Sequence, residues 1–264
     1  MITILLVLSL LGYAAAAAFT GQRFANREPW GQRRIMLSGG FAILAQFAAA
    51  ILILDSTGYA RFNMASTLLI IAVLLAVFNY LRGSRPEAML LRPVIYTFAM
   101  LSSLIALLTP LDAGHPITVN PGVTVHVGLS LLAFSILALA ALYSIQLLYV
   151  NRLLKQRKAK ALSANLPPLM TVENYFFKLL TIGTAVLTLA IASGFLFLEN
   201  MFASGQLHKT ILSIAAWLTF NGILIVHYWR GVRGKPAVII TLIASFILIL
   251  AYYGSRFVRD VILS

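Results

Sequence analysis

Apolar runs of roughly 20 residues recur from one end of this chain to the other, and that feature decides the fold class before any motif is read. Hydrocarbon offers no water to a backbone N–H or C=O, so such a run has one stable local solution, the helix that closes its own hydrogen bonds. Eight spans are expected, near Ile2–Phe19, Ile35–Leu54, Met64–Leu81, Pro93–Leu108, Val123–Val150, Phe176–Leu198, Thr210–Tyr228 and Ala237–Tyr253. At the rise of an α-helix most reach roughly 24 to 30 Å, close to the thickness of the hydrocarbon core. Pro93–Leu108 is short, and Val123–Val150 is long enough to project beyond the membrane. The expected architecture is therefore an all-α polytopic membrane bundle, with residues 1–264 forming one integral membrane domain. The first run starts at Ile2 with no basic residue before it and no clear cleavage site after it, so it reads as a retained helix rather than a signal peptide.

Composition supports the same class. Hydrophobic residues make up 61% of the chain and charged residues 10%, against about 25% charged in soluble domains; the mean hydropathy is +0.93. The net charge of +13 does not point to nucleic acid, because the basic residues sit in alternate loops. Arg23, Arg27, Arg33, Arg34, Arg82, Arg85, Arg92, Arg152, Lys155, Arg157, Lys158, Lys160, Lys178, Arg230, Arg233 and Lys235 fall on one side, 16 of the 20. Arg61, Lys209, Arg256 and Arg259 fall on the other. This bias puts the basic loops in the cytoplasm and both termini in the periplasm, as expected of a multi-pass protein of a bacterial inner membrane. Orientation is the common meaning of such clusters, although the KQRKAK segment is also suited to anionic lipid heads.

The absence of cysteine excludes disulfides, thiolate metal sites, CxxC redox pairs and covalent c-type haem attachment. No phosphate-binding loop, HExxH or GxSxG element occurs, so no catalytic motif supports an enzyme. No internal repeat is evident, and no low-complexity tract beyond Ala14–Ala18.

Topology sorts the four histidines. His115 lies in a Pro/Gly-containing outer loop and reads as a solvated residue. His126 and His208 each open a span on the periplasmic side, and neutral imidazoles there can bind a haem iron axially from two helices. Lys209, Arg256 and Arg259 share that side and can pair with propionates, while Glu199 can hold an imidazole tautomer. The bland alternative is that these are wetted polar residues at helix ends, without a ligand. His227 lies 19 residues beyond His208, roughly 28 Å along a helix, so one cofactor cannot use both. It is either a ligand or proton relay on the inner side, or an interfacial histidine beside Tyr228 and Trp229 in the aromatic belt. Gly183, Ala190 and Gly194 share one face of the sixth span and predict close helix packing. His126, Ser130, Ala133, Leu137, Ala141 and Ser144 form a matching stripe on the fifth.

The segments VHVGLSLLAFSILALAALYSIQLLYV, NYFFKLLTIGTAVLTLAIASGFLF, LHKTILSIAAWLTFNGILIVHYWRGVRG and LILAYYGSRFV, in that order, resemble the cytochrome c assembly family, whose members include CcsA/ResC, CcmC and HemX-like haem handlers. The resemblance spans about residues 60–260 and is nearest to the family's short, eight-span members. It implies an inner-membrane haem-handling protein of cytochrome c maturation, with haem b as cofactor. His126 matches the family's external histidine that opens the domain, and His227 the histidine near the inner end of the helix after the tryptophan-rich loop. His208-Lys209 stands where W-D-P-K-E follows that loop, and Trp217 matches a tryptophan further on. The tryptophan-rich motif itself is missing: the loop reads ENMFASGQ, and the chain ends YYGSRFVRDVILS without a further external histidine. A two-histidine site on that side then uses His208 as its second ligand. Two further readings stand beside haem handling: a non-enzymatic membrane partner that regulates another complex, such as an ion transporter or a haem-synthesis enzyme, and a small-solute permease. The permease reading is the weakest, since the spans carry almost no acids.

Overall fold

A computed structural model describes residues 1–26, 31–55, 63–110, 120–156, 166–197 and 207–254. They form eight helices: α1 (Ile2–Asn26), α2 (Gly31–Asp55), α3 (Met64–Leu81), α4 (Pro86–Leu108), α5 (Pro121–Lys155), α6 (Leu169–Phe197), α7 (Leu207–Arg230) and α8 (Lys235–Ile249). A π-helical turn, Leu250–Gly254, continues α8. All eight are long and apolar enough to cross a membrane, which places the chain in a lipid bilayer. Met64–Leu81 falls where hydropathy put it. Several others run further, because a helix end rich in cations, such as Arg152 and Lys155 at the end of α5, is favoured by the helix dipole although hydropathy sees only its charge.

One boundary needs correction. The fourth helix starts at Pro86, and Pro93 lies inside it. Both prolines suit a first helical turn, so sequence alone did not choose between them. Arg92 is consequently no loop residue: its side chain is fully buried. Its Nε donates to Asn79 Oδ1 at 3.2 Å and its Nη2 to the Gly83 carbonyl. Asn79 Nδ2 donates in turn to the Ala88 carbonyl at 3.0 Å, and Arg82 pairs with the buried Glu87. The α3–α4 turn is thus knotted by charge that the surrounding backbone and amide dipoles satisfy.

The helices group into two compact units, Met1–Val119 with Ala164–Leu166, and Asn120–Ser163 with Pro167–Ser264. In the first, α1 and α3 each pack on α2 and α4, giving a ring of four helices. Apolar residues Leu6, Ala49, Ala50, Leu69 and Ala106 fill one part of its core. A polar network fills another. The Tyr13 hydroxyl donates to Gln46 Oε1 at 2.7 Å, and Gln46 Nε2 lies 3.2 Å from the Ala99 carbonyl, 3.0 Å from Ser102 Oγ and 3.1 Å from Ser103 Oγ. Ser9 Oγ reaches Ser103 Oγ at 3.0 Å. All five side chains are buried, so one glutamine joins three helices where no water competes.

In the second unit α5 and α7 each pack chiefly on α6 and α8, again a ring of four. The α5–α6 seam is the tightest element. A Cβ on Gly183 would stand 2.8 Å from Leu137 Cδ2, and one on Gly122 only 2.5 Å from Phe197 Cδ1. Ala190 and Gly194 are buried along the same face, as their spacing predicts, and Ala133, Leu137 and Ser144 are buried on α5.

Replacing Gln46 with leucine removes the hub of the first unit's network and leaves the buried Tyr13 hydroxyl without its acceptor, while Ser102 and Ser103 keep their bonds to the Ala99 carbonyl. At about 0.6 kcal/mol per interhelical bond, with an added cost for stranded groups, Gln46→Leu should destabilise the protein by about 1–2 kcal/mol. Detergent-titrated unfolding measures it; an unchanged midpoint contradicts the hub role.

Candidate functional site

The site begins with how α5 starts. Asn120 caps it, its side chain accepting the Gly122 N–H at 3.1 Å, and Pro121 occupies the first turn. This fixes the direction of the helix, and the bare Cα of Gly122 lets Phe197 of α6 close against it. One turn further on, His126 Nδ1 lies 2.9 Å from the Ala190 carbonyl of α6 and 3.2 Å from Ser193 Oγ. A carbonyl can only accept, so Nδ1 carries the proton. The neutral ring then presents its lone pair at Nε2, which makes no hydrogen bond among the described residues. Metal-binding imidazoles are commonly held in this way, with Nδ1–H on a backbone carbonyl and Nε2 free for the ion. The donor chemistry at His126 therefore fits an axial ligand of a haem iron.

His208 and Lys209 open α7. Thr188 and Thr181 of α6 meet Trp217 and Tyr228 of α7 in reverse order, so α7 runs antiparallel to α6 and begins at the end of the unit that holds His126. His208 is exposed and Lys209 half-buried. Because α5 and α7 are both flanked by α6 and α8, the two histidines stand on diagonal helices of one ring. They share an end of the unit, and no hydrogen bond or ring contact joins them among the described residues. Trp217 is half-buried, and its indole N–H donates to Thr188 Oγ1 at 2.8 Å, tying α7 to α6. Glu199, Arg256, Arg259 and His115 lie outside the described residues.

His227 occupies the opposite end of the unit. Its ring stacks on Phe177 of α6 with centroids 3.5 Å apart and planes 11° from parallel. Its Nδ1 is 2.8 Å from the Val232 carbonyl, and its own carbonyl accepts the Gly231 N–H at 2.9 Å. The residue closes the end of α7 and steers the chain toward α8. Glu173, which sequence reasoning passed over, completes that turn: it is buried, and its Oε1 accepts the Gly234 N–H at 2.8 Å, where the start of α8 favours a carboxylate. The only signal for it was an acid opposite a basic, glycine-bearing turn. Arg92 and Gln46 were likewise not singled out, and their partners lie outside their own helices.

These features define a polytopic helical membrane protein with a carbonyl-held imidazole at the mouth of one span. Comparison with known proteins narrows the class. The cytochrome c assembly protein family matches residues 37–263, and the chain belongs to that family. The match begins within α2, earlier than the motifs alone suggested. The inner membrane protein YpjD of Escherichia coli K12 is 30% identical over 258 residues, covering 97% of this chain and 98% of the relative. A 28.8 kDa protein from the nifR3-like 5′ region of Azospirillum brasilense is 36% identical over 149 residues, 54% of each chain. No solved structure matches the chain significantly. The chain is a multi-pass inner-membrane protein related to cytochrome c biogenesis factors.

The packing of His227 separates two contributions. His227→Phe keeps a ring on Phe177 and loses the bond to Val232, which should cost about 1 kcal/mol. His227→Ala loses both and should cost about 2–3 kcal/mol. Thermal unfolding of the two variants reads the order, and equal losses would show that the stack contributes nothing.

Proposed function

We propose that this protein binds and handles haem at the end of the second unit where α5 and α7 begin. The observation that carries the reading is the His126 imidazole, held through Nδ1 by Ala190 and Ser193 so that the Nε2 lone pair is left without a hydrogen bond among the described residues. In this reading His126 would hold the haem iron, with His208, at the start of α7, as its second ligand. Lys209 and Arg256 are the partners for propionates, Glu199 orients an imidazole, and Trp217 holds α7 in register with α6. Haem supplies an iron that accepts imidazole nitrogen, and without cysteine the chain holds it as haem b, non-covalently. The histidine end is assigned to the periplasmic face by the charge bias of the loops, and residues 1–264 act as one integral membrane domain with no catalytic role of their own.

The exposure of His208 favours a second reading, a membrane partner that keeps the family fold and regulates another complex without haem. An absorption spectrum with a pyridine haemochrome assay separates the two. The wild type purified with ample haem should carry a Soret band near stoichiometry. His126→Ala should abolish it, and Ser193→Ala, which loosens the ring, should weaken haem affinity by about tenfold or more. His208→Ala should convert a six-coordinate spectrum to a five-coordinate one. A colourless wild type ends the haem reading and leaves the second.

A further inference from the structure

Two bonds in register set the groove between α6 and α7: Thr188 Oγ1 to the Trp217 indole at 2.8 Å, and Thr181 Oγ1 to the Tyr228 hydroxyl at 3.1 Å. Thr181 and Thr188 stand two turns apart, so they mark the stripe of α6 that faces α7. Lys178 stands three residues before Thr181 on that same stripe, roughly 4.5 Å further along the axis. It is exposed, and it lies about 13.5 Å in from Leu169, the first residue of α6. This is no loop lysine. It lies one turn from Thr181, the partner of Tyr228, toward the end where α7 closes with the exposed Tyr228, Trp229 and Arg230, the two rings 65% and 86% exposed.

Among the described residues these cations have no protein counter-ion. Glu173 is the one acid among the described residues of this unit, and its carboxylate is buried on the Gly234 N–H. Neither Lys178 nor Arg230 forms an ion pair among the described residues. An exposed ammonium this far along a membrane helix must reach toward a polar layer, and what it meets there is a phosphodiester. A zwitterionic head brings its own cation to that phosphate; an anionic head does not. Tyrosine and tryptophan flanks suit the same headgroup level, and Arg233 and Lys235, both exposed in the following turn, add attraction of the same sign.

We propose that the mouth of the α6–α7 groove is a binding site for one anionic phospholipid, whose phosphate is held by Lys178 and Arg230 and whose acyl chain lies along the groove past Tyr228. The site is independent of haem. It is tested on the purified full-length protein in a neutral detergent, by thermal unfolding with increasing phosphatidylglycerol, with phosphatidylcholine and inorganic phosphate as separate arms. Phosphatidylglycerol should raise the midpoint and the other two should not. Each lost charge should weaken the half-saturating lipid concentration by about fivefold, so Lys178→Gln and Arg230→Gln should shift it, while Lys178→Arg and the first-unit variant Arg85→Gln should leave it in place. If Lys178→Gln does not fold, Arg230→Gln alone carries the comparison. Equal protection by phosphatidylcholine or by free phosphate, or an unshifted titration in Arg230→Gln, overturns the proposal.

Discussion

The close approach of α5 to α6 governs what the second unit can do. Interior helices in a bilayer gain nothing from excluding water from each other, so they associate through packing and through the few polar bonds that cross between them. Gly122 and Gly183 remove the side chains that would hold the two backbones apart. Only because the helices meet this closely can an imidazole on α5 reach a carbonyl that belongs to α6. That carbonyl is already engaged within its own helix, and Ser193 Oγ bonds to it as well at 2.8 Å. His126 therefore docks on a preformed, rigid acceptor, and its ring has one orientation. A slacker seam would leave the same histidine as an ordinary wetted residue at a helix end.

His126 and His227 use one piece of chemistry for two outcomes. Both donate Nδ1–H to a backbone carbonyl. In His227 the acceptor lies five residues ahead, and the ring face is covered by Phe177, so the bond shapes a turn. In His126 the acceptor lies on another helix, no aromatic ring stacks on it among the described residues, and Nε2 is left without a hydrogen bond there. The difference comes from the position of the acceptor and the neighbour on the ring face, and it is tertiary in origin.

That distinction explains what was legible in the sequence. Hydropathy found the eight spans, because length and apolarity alone decide whether a segment crosses. The small-residue stripes on α5 and α6 named the seam, since period and side-chain volume are written in the chain. Depth was legible too: His126 and His208 do share one end of their unit. What the sequence withheld was direction. Nothing local shows that His126 turns to Ala190, that Gln46 gathers Tyr13, Ser102 and Ser103 from two other helices, or that Arg92 folds inward onto Asn79. Arg92 was misplaced for a further reason, since a charged residue before a proline reads as a loop when hydropathy cannot weigh a buried guanidinium that the backbone satisfies.

The use of carboxylates follows from the same economy of partners. Of the three acids among the described residues, Glu87 is bound to Arg82 in the α3–α4 turn and Glu173 to the Gly234 N–H in the α7–α8 turn; Asp55 is exposed at the far end of α2. Each buried acid thus fastens a hairpin of its own unit, beside basic residues of that same turn. A carboxylate spent on a turn is withdrawn from the surface, so the positive charge around it finds no acid to compensate it among the described residues. In water such an excess would be solvated and screened. At the edge of a bilayer, with ring side chains and an α6 lysine reaching out of the apolar layer, the nearest negative charge belongs to lipid. The acids that make the fold compact are, for that reason, also what leaves its basic rim open to the membrane.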